Sequence, residues 1–179
     1  MNSASDMKYF TYGSNMLEQR LRAKNRVPNA APFGAAIIKG YQLRFHKTSR
    51  DESGKCNIFK TGDHNDAVYG VVFEVPEDQL KALDKAEGRD YHHEPLKVTL
   101  LDGDHLCTLT YVAGADVIDE SMIPYDWYHE LVIAGAEQHQ LPAPYVAALR
   151  EVHSKPDPEK DRPEKREAEA ALRAYRETN

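Results

Sequence analysis

The sequence predicts an α+β fold, either open or closed into a small barrel with helices around it. Three observations carry this. Strand-like and helix-like runs follow one another without the regular βαβ alternation of a Rossmann sheet. "AVYGVVFEV" is a nearly continuous apolar run, the mark of a central strand. "LKVTLL" and "HLCTLTYV" flank "DGD", a hairpin signature.

Each element has its own reason. Residues 7–12 are aromatic and β-prone and read as a first strand. "NMLE" then fits a capping box, with Asn15 as N-cap and Glu18 three positions on, opening a helix to about Lys24 that carries Leu17 and Leu21 on one face. "YQLRFH" alternates Tyr41, Leu43 and Phe45 with Gln42, Arg44 and His46, as a half-buried strand does. "SRDESGKCN" and "TGDHND" are turn-rich and read as loops. Within the central strand, Gly70 marks a close approach to the backbone. Pro76 suits the first turn of a helix with Leu80 and Leu83 on its buried stripe and Gly88 as its C-terminal cap. "YDWYHELVIAGAEQHQ" and "PAPYVAALREV" read as the last core helices. From Lys155 the composition changes to seven basic and seven acidic residues, with Ala168, Ala171, Leu172 and Tyr175 forming a thin helical stripe. The expected organisation is a domain over residues 1–155 followed by a charged, partly helical tail over 156–179 that the domain can lose without harm.

Bulk properties narrow the function. With 179 residues, 41% hydrophobic and 29% charged, the chain has the balance of one soluble globular domain. A net charge of −6, and no basic cluster outside the C-terminal segment, where acids match bases, argue against nucleic acid. The N-terminus "MNSASDMKYF" lacks the features of a signal peptide, and no apolar run approaches the ~20 residues of a membrane span. Cys56 and Cys107 form neither a disulfide framework nor a metal knuckle, so a cytoplasmic protein is expected.

Three stretches carry candidate chemistry. In "YFTYGSNM" the strand ends in Gly13, Ser14 and Asn15, small residues whose amides at a helix start suit a carboxylate or an oxyanion; an ordinary cap explains them as well. In "LDKAEGRDY" an acid, Glu87, sits at a helix C-terminus, where the dipole disfavours its charge; burial there would raise its pKa and improve it as a base. Asp84, one turn earlier, fits the same role on spacing. In "YHHE", His92 and His93 point to opposite faces of a strand, so surface histidines are expected rather than a metal site. Cys56, in a polar loop, and Cys107, in a strand, do not read as nucleophiles.

Taken together, "YFTYGSNM", "VYGVVFEV" leading into "LKALDKAEG", and "YDWYHELVIAGAEQHQLPAPYVAALREV" resemble the γ-glutamylcyclotransferase family, including its AIG2-like relatives. The resemblance runs over roughly residues 8–152. It does not extend to the glutathione-specific branch, whose turn reads YGSL with a following aromatic. It implies a small mixed β-barrel with flanking helices and a cavity at one end. It also implies a substrate loop over Tyr9, Phe10, Thr11, Tyr12, Gly13 and Ser14, completed by Asn15, with Glu87 rather than Asp84 as the catalytic carboxylate. Tyr91 and Tyr128 correspond to tyrosines that face the substrate, and "RDYHH" departs from the relatives at the cavity rim.

The implied reaction cyclises a γ-glutamyl group to 5-oxoproline with release of an amine, using no metal or cofactor. The expected partner is a small γ-glutamyl substrate, and the expected state is a monomer or homodimer. Two alternatives are a cyclotransferase for γ-glutamylamines or γ-glutamyl natural products, and a non-catalytic binding module on the same fold.

Overall fold

The computed structural model describes residues 6–178. Five strands close a barrel in the order β1–β5–β2–β6–β7, where β1 is Met7–Thr11, β2 Ala31–Lys39, β5 Ala67–Val75, β6 Tyr91–Leu100 and β7 His105–Ala113. All neighbours are antiparallel except β1 and β7, which meet in parallel at Tyr9 and Leu109 and close the barrel. This is the expected mixed barrel. The Thr110 hydroxyl reinforces the closure by donating to the Phe10 carbonyl at 2.8 Å.

The central strand is central for the reason its composition suggests. β5 pairs with β1 on one side and β2 on the other, and Val68, Val71, Val72, Phe73 and Val75 are all fully buried. A Cβ at Gly70 would stand 2.3 Å from the Thr11 carbonyl oxygen and 2.7 Å from the Phe10 ring, so the expected close approach is the end of β1 itself. The 91–113 hairpin also forms as read.

A separate two-stranded sheet pairs β3 (Tyr41–Thr48) with β4 (Gly54–Lys60). Here two expectations change. The "SRDESGKCN" run is a loop only in its first half, and Cys56 lies in β4, buried, because the hairpin partner supplies the pairing that its turn-forming neighbours disguise. In β3 the alternation breaks: Phe45, His46 and Lys47 are all buried, at a register shift between Arg44 and Lys47.

Among the described residues five helices flank the barrel. The first is α1 (Glu18–Leu21), preceded by a 3₁₀ turn over Ser14–Met16; α2 is Leu80–Glu87, α3 Asp126–Gln138, α4 Ala143–Arg150 and α5 Pro163–Glu177. The capping box does not form. Asn15 sits inside the 3₁₀ turn with its side chain turned into the barrel, and the Glu18 amide is met instead by Gln138 Oε1 at 2.8 Å. The helix is correspondingly short, ending at Leu21 rather than Lys24. Pro76 precedes a 3₁₀ turn over Glu77–Gln79, and α2 begins after it. Leu83 is fully buried, and the Gly88 amide ends α2 on the Asp84 carbonyl at 3.0 Å.

α3 is buried on most of its circumference and sets the position of the turn after β1. A Cβ at Gly135 would fall 2.6 Å from the Leu17 nitrogen, so only glycine lets this helix lie directly on Met16 and Leu17. α5 lies against α1 and α3. Ala168, Ala171 and Leu172 of the predicted stripe are buried, and Tyr175 packs at their edge. The approach to this helix is pinned by Asp157, which is buried and accepts from Trp127 Nε1 at 3.0 Å and from Arg162 Nε at 2.7 Å. Burial opposes the Asp157 charge, yet the Arg162 bonds prevail and hold its pKa down at about 2.

The segment expected as a dispensable tail is therefore packed on the helical layer. Leu172→Ala is expected to lower unfolding free energy by about 2–4 kcal/mol, the usual cost of emptying a buried leucine site. Urea denaturation checks this, and a change under about 0.5 kcal/mol would mean that α5 only rests on the surface.

Candidate active site

A small cavity of about 40 Å³ opens at one end of the barrel, lined by Tyr9, Thr11, Tyr12, Gly13, Ser14, Asn15, Cys56, Glu87, Tyr91, Thr110, Tyr111 and Tyr128. Strand alternation explains its near wall. Tyr9 and Thr11 of β1 face the cavity, whereas the Phe10 ring between them turns to the other face, fully buried against Gly70. Phe10 thus lies outside the cavity, and every other residue implied by the resemblance lines it. Cys56, Thr110 and Tyr111 join them; they carried no motif signal and arrive by strand pairing alone.

Glu87 is brought in from the end of α2. The residue is half-buried, but its carboxyl turns inward, where Asn15 Nδ2, 72 positions away in sequence, donates to Oε1. The same Nδ2 donates to the Tyr9 hydroxyl at 3.2 Å, and Arg26 donates to Asn15 Oδ1 at 3.3 Å. Burial raises the Glu87 pKa above its usual 4.5, opposed by Arg26, by the Asn15 hydrogen bond, and by Arg20 and Lys47. The carboxyl is therefore poised to hold a proton more readily than a surface glutamate.

Asp84 does different work. Its carboxylate accepts from the Tyr111 hydroxyl and meets His93 Nε2 at 2.6 Å, outside the cavity. His92 is exposed, 3.8 Å from Glu94. Among the described residues no group of three or more His, Cys, Asp or Glu is arranged to hold a metal ion.

Tyr91 and Tyr128 are fixed by the β4 backbone. Tyr91 spends its hydroxyl proton on the Cys56 carbonyl at 2.7 Å, while the Tyr128 oxygen accepts from the Cys56 amide at 3.0 Å and keeps its own proton to donate. Tyr12 donates to the Tyr111 carbonyl, and the Tyr9 and Tyr111 rings meet edge-on at 5.7 Å. Burial raises the phenols of Tyr9, Tyr12, Tyr91 and Tyr128, so all are neutral at neutral pH. It also pushes the Cys56 thiol up to about 12, which removes it as a nucleophile.

At the turn, Gly13 has φ −119°, a value open to any residue, so its need for glycine is not conformational. The cause is space: a Cβ there would stand 3.0 Å from Cys56 Cβ and 3.5 Å from the Tyr128 hydroxyl. The amides that open the following 3₁₀ turn have no intrahelical acceptors, and Gly13, Ser14 and Asn15 line the cavity. A wider groove of about 730 Å³ adjoins the cavity, shares Glu87 and Tyr128 with it, and passes Arg20, Lys47, Lys55 and Trp127. A carboxyl whose pKa is raised, amides without intrahelical acceptors and neutral phenols together suit an acyl substrate with a developing negative oxygen.

Comparison with known proteins places the chain among similar sequences and folds. The model of the AIG2-like family matches residues 67–149. Human gamma-glutamylcyclotransferase is 31% identical over 152 residues, covering 80% of this chain and 77% of the human protein. The Bos taurus gamma-glutamylcyclotransferase is 30% identical over the same shares. A solved structure named gamma-glutamyl cyclotransferase superposes with a TM-score of 0.81 at 26% identity, over 94% of this chain and 99% of that one. The chain belongs to the γ-glutamylcyclotransferase family.

Proposed function

We propose that this protein is a γ-glutamylcyclotransferase that converts γ-glutamyl amino acids or peptides to 5-oxoproline and a free amine, with Glu87 as its proton carrier. The observation that carries the reading is the desolvated Glu87 carboxyl, anchored through Oε1 to the Asn15 of the "YGSN" turn and facing a cavity of neutral donors. Family membership supports the same activity.

The substrate supplies its own nucleophile. Its α-amine reaches the γ-carbonyl carbon to close a five-membered ring, and a site that holds the chain curled makes this an intramolecular attack, with effective molarities of about 10⁵–10⁸ M in well-oriented cases. The α-nitrogen must shed two protons between ammonium and lactam, and the leaving nitrogen gains two to depart as an ammonium. Glu87 takes a proton from the first nitrogen and returns it to the second, relaying them in turn. The new N–C bond forms as the oxygen becomes an oxyanion, and the old C–N bond breaks as the carbonyl returns. The Gly13–Asn15 amides and the Tyr128 hydroxyl are the donors for the oxyanion and the α-carboxylate. The wider groove takes the leaving amine.

Among the described residues no helix is long and apolar enough to cross a membrane. A cytoplasmic location is the reading that fits the free thiols Cys56 and Cys107.

Incubation with γ-glutamyl-alanine should release 5-oxoproline and alanine, and Glu87→Gln should lower kcat by about 10²–10⁴ or more, since glutamine cannot take the proton. Near-native turnover by that variant would remove Glu87 from the mechanism; wild-type protein that binds 5-oxoproline yet turns over no γ-glutamyl compound would favour a binding module.

Stability should move the other way. The raised Glu87 pKa means that its ionisation costs folding free energy, a cost absent below the unfolded pKa and growing as pH rises through the folded one. Glu87→Gln should therefore have a higher Tm than wild type at about pH 7.5, the difference vanishing near about pH 4. A lower Tm at neutral pH would show that the charged form is stabilised in the folded protein.

A further inference from the structure

Asn15 was expected to cap a helix, yet its side chain is occupied at three points: Nδ2 donates to Glu87 Oε1 and to the Tyr9 hydroxyl, and Oδ1 accepts from Arg26. Only one orientation of the amide satisfies all three. Turned over, its NH₂ would face the guanidinium donors and its oxygen would face the carboxyl lone pairs. Arg26 therefore decides which end of the amide meets Glu87. With both Nδ2 protons committed and Oε1 engaged, Oε2 is left for proton exchange with the substrate; among the described residues nothing donates to it.

Resting on the reading of Glu87 as proton carrier, we propose that Arg26 is a positioning residue that holds the Glu87 carboxyl in register through the Asn15 amide. Its own placement is firm. The Arg26 amide bonds to the Ala23 carbonyl at 2.8 Å, and the next residue, Val27, is fully buried and bonds to the Leu21 carbonyl at 3.0 Å.

Arg26 is also the least compensated cation near the carboxyl. Of the other two, Lys47 on β3 is held by Asp90 at 2.7 Å, and Arg20 on α1 faces Glu167 at 3.6 Å. Among the described residues no carboxylate pairs with Arg26 within 4.0 Å. On α2 itself, Asp84 is engaged by His93 and Tyr111, and the phenols of Tyr9, Tyr12, Tyr91 and Tyr128 that face the cavity are neutral. The carboxylate form of Glu87 therefore depends on Arg26 for both orientation and charge compensation.

The test uses the full chain with Arg26→Gln and Arg26→Lys, reading pH–rate profiles on γ-glutamyl-alanine. Arg26→Gln should lower kcat about tenfold with little change in KM and move the acidic limb upward by about one pH unit. Arg26→Lys should return the limb to its wild-type position, because it restores the charge. An unmoved limb with unchanged kcat overturns the proposal. So does equal loss in both variants with equally lowered Tm, which is the signature of a merely structural role. A second readout, titration of the ¹³C-labelled Glu87 carboxyl by NMR, needs no turnover. Arg26→Gln should raise that pKa even if wild type proves inactive on γ-glutamyl substrates, whereas no rise overturns the proposal apart from the fate of the function. Should Arg26→Gln fail to fold, Arg26→Met is read in the same two ways.

Discussion

A carboxyl group turned into a cavity of phenols and backbone loses the water that would stabilise its charge, and it stays there only if something nearby replaces that water. In this protein the charge of Arg26 and one direct hydrogen bond, Asn15 to Glu87, replace it, the bond joining the turn after β1 to the last residue of α2. The balance they set is intermediate. Burial drives the carboxyl toward its neutral form while Arg26, Arg20 and Lys47 draw it toward the charged one. A group held between the two states is suited to accept a proton at one step and return it at the next. Stronger pairing would leave a permanent carboxylate; full isolation would leave a permanent acid.

Much of the surrounding fold can be read as what keeps that bond in place. β1 is fixed on one side by its ladder to β5 and on the other by the parallel contact with β7 and the Thr110 bond. Gly135 lets α3 press on Met16 and Leu17, which sets the depth of the turn, and the same helix delivers Tyr128 to the far wall. β4 then serves the site with its backbone: the Cys56 carbonyl and amide orient two tyrosine hydroxyls oppositely, one as acceptor and one as donor. α5 covers α1 and α3 from outside, so a segment remote from the chemistry supports the helices nearest to it.

What was legible in the sequence had local causes or a motif. β5, the 91–113 hairpin, α3 and α4 show in their own residues, whereas an acid near the end of α2 was legible only as Glu87 or Asp84, and the resemblance of the motif chose Glu87. Contacts made by distant partners were not legible. Asn15 has the chemistry of a cap, and only the arrival of α2 shows that its amide serves Glu87. Cys56 follows a run of turn residues that concealed a strand completed by β3. Ala168, Ala171 and Leu172 look too sparse to dock, yet small residues let α5 lie close on its neighbours. Phe10, inside the motif, faces away from the cavity for a reason visible in strand alternation but overridden by motif membership. The parallel closure of β1 on β7 has no local signature at all.

In the proposed reaction Glu87 meets the nitrogen that enters the ring while the turn after β1 meets the negative groups. A crystal structure with 5-oxoproline bound tests it most directly. The lactam nitrogen is expected within hydrogen-bond distance of Glu87 Oε2, with Oε1 still on Asn15 and the product carboxylate or carbonyl on the Gly13–Asn15 amides. Product seated in the cavity with its nitrogen turned away from Glu87, or with Asn15 released from the carboxyl, would contradict it.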